Sequence, residues 1–374
     1  MSTLDHEDIR LKRAHALVVD FDGRRFEVVN FLQRRSFRCN GVALEILGDA
    51  ASWRPAAYFF SCFPDCSIRS IARAVSQIVE CGALVVRGAE EAAADAAYAK
   101  AWAWGPMAGL LHFGVRDPQY HNAGQADRLV RAKARRQPAP EMYSPNIGGA
   151  SSGVVELRRP RFSDPVLAAM RARRTVRGFI NKPVTLDKIG ACLFAGLGIV
   201  GFYEHDDLGR MLLKMTPSGG ARNPFEAYVY ARRIDGLARG IYHYSALDHS
   251  LAPLPRSRLP RPSRLLSGQR WADDAAAIVF LVANLGRTMW KYDHPRSYRV
   301  VIAEAGHIAQ NVSIAAARLG LATDPTMSIQ DSLTEAALGI ELPLQSPLYA
   351  LSVGCPDPRS DPMRLTKKRS VSDF

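Results

Sequence analysis

The chain has 374 residues, of which 47% are hydrophobic and 23% charged, an ordinary globular balance with room for one large or two medium domains. Its 49 basic residues outnumber 36 acidic ones, for a formal net charge of +13. A surplus of that size calls for an anionic partner: a phosphorylated cofactor, an acidic peptide, nucleic acid or a membrane surface. The start "MSTLDHEDIRLKR" carries no apolar h-region, so no secretory signal is expected. The longest apolar run, Ala275 to Ala283, falls well short of the roughly 20 residues that span a bilayer, so the expectation is a cytoplasmic protein without a membrane segment.

Residues 1–104 read as one unit. "RRFEVVNF", Arg24 to Phe31, alternates and is β-rich, as a strand does. "NGVALEIL", Asn40 to Leu47, reads as a short helix. In the next segment Ile68, Ile71, Ala72, Val75, Ile78 and Val79 recur at helical spacing, with Ser67 as N-cap and Gly82 as the stop. The strand "ALVVR", Ala83 to Arg87, follows. This order predicts a small winged-helix-like domain, which binds peptide or nucleic acid, or serves as scaffold. The alanine-rich stretch Ala89 to Trp104 predicts a helix that closes the unit.

Residues 105–159 read as a connecting segment. "RLVRAKARR", Arg128 to Arg136, is a basic helix-like run without interleaved aromatics, so a solvated helix face is expected rather than a nucleic-acid patch. Gln137 to Gly153 is rich in Pro, Gly and Ser, as connecting loops are. Six cysteines are present, with one close pair, Cys62 and Cys66. A structural zinc site usually shows two close pairs, so reduced thiols and no metal are expected.

Residues 160–374 are mixed. Helices are predicted at Pro165–Arg173, Leu186–Gly196 and Glu304–Gly320. Strands are predicted at Ala227–Ile234, Gly240–Tyr244, Ala276–Asn284 and Leu348–Cys355. Three stretches here carry chemistry. "RARRTVRGF", Arg171 to Phe179, sets Arg173 and Arg177 at i,i+4 and Arg174 and Arg177 at i,i+3, so a helical end would gather them on one side. Guanidinium forks beside the Thr175 hydroxyl suit a phosphate, although surface arginines or nucleic-acid contacts fit the same pattern. "MTPSGGARNPFEAYVY", Met215 to Tyr230, has a glycine-rich turn whose backbone admits close approach of a flat ligand; a plain turn between helix and strand is the simpler alternative. Val300 to Asp324 is amphipathic, with Ile308, Val312, Ala315, Ala316 and Leu319 as a core stripe. His307 has no metal-type residue at i+4 and reads as an ordinary helix histidine. Gly306 permits close packing against a ligand or a partner helix.

Four motifs in this order resemble the nitroreductase-like flavoenzyme superfamily: "RRTVRGF", "PSGGARNPFEAY", "GIYHY" and "AEAGHIAQN". Within it the chain looks most like the SagB-type dehydrogenases of ribosomal-peptide maturation, over roughly Pro160 to Pro358. The resemblance implies an α+β nitroreductase-like FMN-binding fold after the small N-terminal domain, non-covalent FMN, and a homodimer with active sites at the subunit interface. It places Arg173, Arg174, Thr175 and Arg177 on the FMN phosphate and ribityl chain. Pro217, Ser218, Gly219 and Gly220 face the isoalloxazine ring, and Glu304 and Gly306 lie on the cofactor side of their helix. A cation near the C-terminus, Arg359 or a later one, is expected by the phosphate.

The adjacent pair Lys291–Tyr292, in "MWKYDHPRSYR", matches the Lys-Tyr pair of azoline-oxidising members. Oxidation of an azoline removes a proton from one ring carbon and a hydride from its neighbour, so a positioned base is needed beside the flavin. The implied activity is an azoline-to-azole or related desaturation of a ribosomally made peptide, with a leader held by the N-terminal domain and a peptide-modifying enzyme as partner. The alternatives are an NAD(P)H-dependent nitroreductase or quinone reductase, and a non-catalytic scaffold or nucleic-acid binder. The pair itself has a bland alternative as well, packing at the dimer interface.

Overall fold

The computed structural model describes residues 9–118, 123–137 and 163–360, apart from 24, 207 and 256–258. Near the N-terminus, strand β1 (Arg10–Arg13) turns Leu11 inward. The meander β2 (Leu17–Asp22), β3 (Arg25–Asn30) and β4 (Arg35–Cys39) pairs antiparallel. Then follow α1 (Gly41–Asp49), β5 (Arg54–Pro55), α2 (Tyr58–Ser61), α3 (Ile68–Glu80) and β6 (Leu84–Val86). Helix α3 forms where its spacing predicts. Ser67 caps it by accepting from the Ser70 amide at 3.2 Å, and Ile71, Val75 and Ile78 are buried along one face. The strand order β5-β1-β6 puts β1 between the two strands that flank α2 and α3. Leu11, Ile46, Phe59, Ile71 and Ile78 share one core.

Helices α4 (Glu90–Ala101) and α5 (Gly105–Gly114) lead away from this unit. They form an aromatic cluster, Tyr98, Trp102, Trp104 and Phe113, that belongs to the same core as Met289 and Tyr298 far along the chain. Among the described residues of 105–159 the chain forms two helices, α5 and α6 (Ala123–Arg136). The described side chains of α6 are exposed, as a solvated face requires. Most of the Pro/Gly/Ser-rich loop, 138–153, lies outside the described residues.

The second part is built on a six-stranded antiparallel sheet. Its elements are α7 (Pro165–Ala172), β7 (Val184–Thr185), α8 (Leu186–Leu197), β8 (Ile199–His205), β9 (Gly209–Lys214), β10 (Phe225–Ala231), β11 (Ile234–Asp235), β12 (Gly240–Ser245), β13 (Ser250–Pro253), α9 (Pro262–Leu265), β14 (Ala277–Asn284), α10 (Leu285–Met289), α11 (Tyr298–Arg318), β15 (Ala322–Thr326), α12 (Asp331–Leu338) and β16 (Gln345–Gly354). The sheet order is β13-β12-β10-β14-β16-β15. Strand β14 is apolar from Ala277 to Ala283 because both its faces are covered. Val279 and Leu281 join Ile189 and Leu193 of α8 and Ile308 and Val312 of α11, while Ile278 and Phe280 join Leu265 of α9 and Leu338 of α12. Helices on both sides of a mixed-connection sheet give the α+β architecture.

Three expectations change. Helix α11 begins at Tyr298, six residues before Glu304, because a turn at Pro295–Ser297 starts it. It ends at Arg318, with Gly320 at φ +72°, and Asp324 lies instead in the edge strand β15. The glycine-rich turn joins two strands, β9 and β10, rather than helix and strand. By length and composition, residues 295–318 would suffice to cross a bilayer, but Val301, Ala305, Ile308, Val312 and Ala316 are buried in the protein core.

Candidate active site

Asp164 starts α7 by accepting from the Val166 and Leu167 amides at 2.8 and 3.1 Å, and Pro165 occupies the first turn. The helix stops at Ala172. Arg173 has φ −57° and ψ 126°, and the chain continues extended. The Val176 amide donates to the Thr323 carbonyl at 3.1 Å, and Thr175 bridges Thr323. The helical gathering of Arg173, Arg174 and Arg177 is thus corrected: the helix ends at Ala172 and pairing with β15 wins over local spacing, so Arg177 parts from Arg173 and Arg174.

Arg173 and Arg174 line a cavity of about 200 Å³ with Ser313, Gly320 and Thr323. Arg174 is braced by the carbonyls of Arg171 and Arg173 at 2.7 and 2.6 Å. Arg177 is turned elsewhere. Its Nε lies 3.4 Å from Asp324 Oδ1, and its guanidinium sits 5.6 Å from the centre of the Trp271 ring. Asp324 is buried, and burial raises its carboxyl above the usual range, while Trp271 and Arg177 pull it back. Pro356 lines the cavity, but the exposed Arg359 is held by Asp357, with Nη2 to Oδ2 at 3.0 Å. The later C-terminal cations lie outside the described residues.

The turn Pro217–Gly220 lies against the N-terminal half of α11. Ser218 Oγ donates to Glu304 Oε2 at 2.8 Å and accepts from the Asn223 amide at 2.8 Å. Glu304 is buried, and desolvation raises its carboxyl, opposed by Ser218, by the Gly219 amide and by Lys214. A Cβ on Gly219 would fall on Val300. Gly220 has φ +60°, and a Cβ there would fall on the Tyr292 hydroxyl and 3.0 Å from Lys291 Cδ. Only glycine meets both conditions. Lys291 Nζ donates to the Gly220 carbonyl at 3.3 Å. The Lys-Tyr pair and the glycine turn, 71 residues apart, are therefore one cluster. Gly306 faces open space on the outer side of α11, with no atom within 4 Å of where its Cβ would be. No group of ligands that could hold a metal occurs among the described residues.

Other polar groups nearby carry little or no signal in the sequence. Lys214, at the end of β9, is largely desolvated, which lowers its ammonium pKa; Glu304 and Glu226 oppose the shift, and Arg287 adds to it. Glu226 bonds His243 Nε2 at 2.9 Å and pairs with Arg287, which hold its carboxyl down at about 2. A lone carboxylate in the apolar strand "FEAYVY" is the one signal that points to such a partner. Trp104 Nε1 donates to the Tyr292 carbonyl at 2.7 Å, a contact with no local sequence signature.

The nitroreductase family model matches residues 170–355. A protein of Methanocaldococcus jannaschii that bears a nitroreductase name is 33% identical over 183 residues, covering 49% of this chain and 86% of that protein. The trifolitoxin-processing protein of Rhizobium leguminosarum bv. trifolii is 35% identical over 151 residues, 39% of this chain and 40% of its own length. The microcin B17-processing protein of Escherichia coli is 27% identical over 145 residues, 37% of this chain and 53% of its own. The match thus spans about half or less of the two peptide-processing relatives. The arginine segment from 170, the glycine turn, Lys291–Tyr292 and α11 lie inside the family match, and the N-terminal unit lies outside it.

Proposed function

This chain belongs to the nitroreductase family of oxidoreductases, and from that premise we propose that it is an FMN-dependent dehydrogenase of ribosomally made peptides, converting an azoline to an azole or desaturating a related bond. The observation that carries the reading is the seating of Lys291 and Tyr292 on Gly220 of the glycine turn. Two relatives that process trifolitoxin and microcin B17 support the peptide as substrate class.

The residues present fit FMN. Two guanidiniums and the Ser313 and Thr323 hydroxyls around one small cavity suit a phosphate better than a ring. Arg173, Arg174 and Thr175 would hold the phosphate and ribityl end, while Arg177, engaged by Asp324 and Trp271, would join them only by leaving those partners. Pro217, Ser218, Gly219 and Gly220 would face the ring, with Glu304 behind the turn on Ser218; Gly306, on the outer side of α11, would meet the cofactor or a partner helix from the open side. When bound, FMN supplies a two-electron acceptor for a hydride. Lys291 takes the proton from the substrate carbon at Nζ, and Tyr292 relays it at its hydroxyl. Lys291 is exposed beside the turn, with its Nζ on the Gly220 carbonyl, so a substrate can reach it there.

A second copy completes the site in this reading. Val166 and Met170 on α7 and Val200, Phe202 and Leu213 on the β8–β9 hairpin are exposed, and an isolated two-stranded hairpin needs cover. Open space at Gly306 admits a partner helix. The division into 1–104, 105–159 and 160–374 belongs to the same proposal. The N-terminal unit, winged-helix-like in the order α1-β5-α2-α3-β6, holds the leader and so raises the local concentration of the reacting segment. An azoline-forming enzyme supplies the substrate, and the reaction is cytoplasmic. The basic surplus answers the phosphate and an acidic leader, without nucleic acid or membrane.

The test is a synthetic peptide bearing one thiazoline, incubated with flavin-loaded protein and weighed. Loss of two hydrogens with wild type and not with Lys291→Ala is expected; equal loss with both removes Lys291 from the chemistry. A nitroreductase or quinone reductase is the second reading, favoured by the name of the archaeal relative. Fast bleaching of bound FMN by NADPH, with no effect of peptide, would select it.

A further inference from the structure

We propose that Trp104 is a positioning residue for the Lys291–Tyr292 couple, so that the segment bearing the couple is completed by a part of the chain outside the family match. The inference rests on the proton-transfer role given to that couple above.

Lys291 and Tyr292 sit where α10 has ended and the turn into α11 has not begun. The Lys291 and Tyr292 amides donate to the Thr288 carbonyl at 3.1 and 3.0 Å, which fixes the segment on its N-terminal side. On the C-terminal side of the same residue, the Tyr292 carbonyl accepts the Trp104 indole N–H at 2.7 Å across a sequence separation of 188 residues. Trp104 is 1% exposed. Its ring meets Tyr298, the first residue of α11, edge to face at 5.8 Å and Trp102 at 5.9 Å. The next layer repeats the arrangement: His112 Nδ1 bonds the Tyr298 hydroxyl at 2.8 Å, and the His112 ring stacks on Trp102 at 5.2 Å. Both ends of the segment from Tyr292 to Tyr298 are thus held by α5 and the residues just before it.

A tryptophan in this place does two separable things. Its ring packs against Tyr298, and its single N–H satisfies a main-chain carbonyl. An indole has one donor and no acceptor, so that hydrogen bond has only one geometry. Deleting the donor leaves the Tyr292 carbonyl free to rotate, and the Tyr292 ring moves with its backbone against Gly220. Small displacements of a reacting group cost large factors in rate. The bulk of the indole can be replaced by phenylalanine with much of the edge-to-face packing kept, which separates positioning from stability.

The experiment compares wild type, Trp104→Phe and Lys291→Ala as full-length flavin-loaded protein, with Phe59→Leu as a control. Phe59 is buried in the N-terminal core and touches none of these residues. Hydrogen exchange read by mass spectrometry on peptides covering 288–298 gives the first readout. The expected result is exchange at least about tenfold faster in Trp104→Phe, with β10 and β14 unchanged; unaltered exchange in 288–298 overturns the inference. The second readout is turnover of the thiazoline peptide. Trp104→Phe is expected to lower kcat roughly tenfold at unchanged KM, and Phe59→Leu to leave kcat at the wild-type value. Wild-type kcat in Trp104→Phe, or an equal fall in Phe59→Leu, overturns it. If Lys291→Ala is as active as wild type, the functional reading is what fails, and the exchange data still decide whether Trp104 holds the segment.

Discussion

Replacing Gly220 by alanine sets a methyl group where the Tyr292 hydroxyl stands, on a backbone held at φ +60°. Two costs add. The left-handed conformation disfavours an L-residue by about 1–2 kcal/mol, and forcing a methyl into an occupied place costs about 1–3 kcal/mol more. Gly23 separates the two, since it has φ +63° with nothing within 4 Å of its would-be Cβ. Gly23→Ala therefore pays the backbone term alone, and the difference between the two variants, roughly 1–3 kcal/mol, is the contact of Gly220 with Lys291 and Tyr292. The Tyr292 ring can relieve part of this strain by swinging away, which lowers the stability loss and raises the loss of activity. The assay is denaturant unfolding of both variants alongside turnover of a thiazoline peptide. Gly220→Ala should lose at least tenfold in kcat, while Gly23→Ala keeps wild-type turnover. Equal unfolding midpoints and equal turnover for both variants would show that the couple does not rest on the turn.

Two further outcomes follow from the same geometry. Arg173→Ala should weaken FMN binding roughly 10- to 100-fold in a fluorescence titration, the worth of a charge-assisted hydrogen bond, and Arg177→Ala should weaken it less because Arg177 is engaged by Asp324. Burial raises the Glu335 carboxyl to about 7 in spite of its Arg116 partner. A raised carboxyl favours the folded state at low pH, so this contribution is full below the unfolded value near 4.5 and is lost as pH rises through about 7. Glu335→Gln should remove that slope, worth up to about 3 kcal/mol, from stability measured between pH 5 and 8.

The sequence was most legible where burial is two-sided or strictly periodic. Strand β14 is an unbroken apolar run because helices cover both its faces, and α3 and α11 show their stripes at spacings of three and four. Local spacing misled at Arg173 to Arg177. Nothing in that run breaks a helix; the break comes from Thr323, almost 150 residues later, which takes the backbone into a bridge. The β8–β9 hairpin was invisible for another reason: Val200, Phe202 and Tyr203 are exposed, so the inside-outside alternation that marks a strand is missing. At the site, Lys291–Tyr292 and the glycine turn were readable as motifs, but their contact was not. The Trp104 bond to Tyr292 lies at the far limit of this series, since a side-chain donor to a distant carbonyl leaves no pattern in the residues around it.

The most direct test of the account is anaerobic stopped-flow bleaching of the bound flavin by a thiazoline peptide, in wild type and in Lys291→Ala. Rapid bleaching by the peptide without NADPH is expected in wild type, and bleaching at least 100-fold slower in Lys291→Ala with FMN still bound. Bleaching by NADPH alone with an inert peptide, or identical rates in the two proteins, would contradict it.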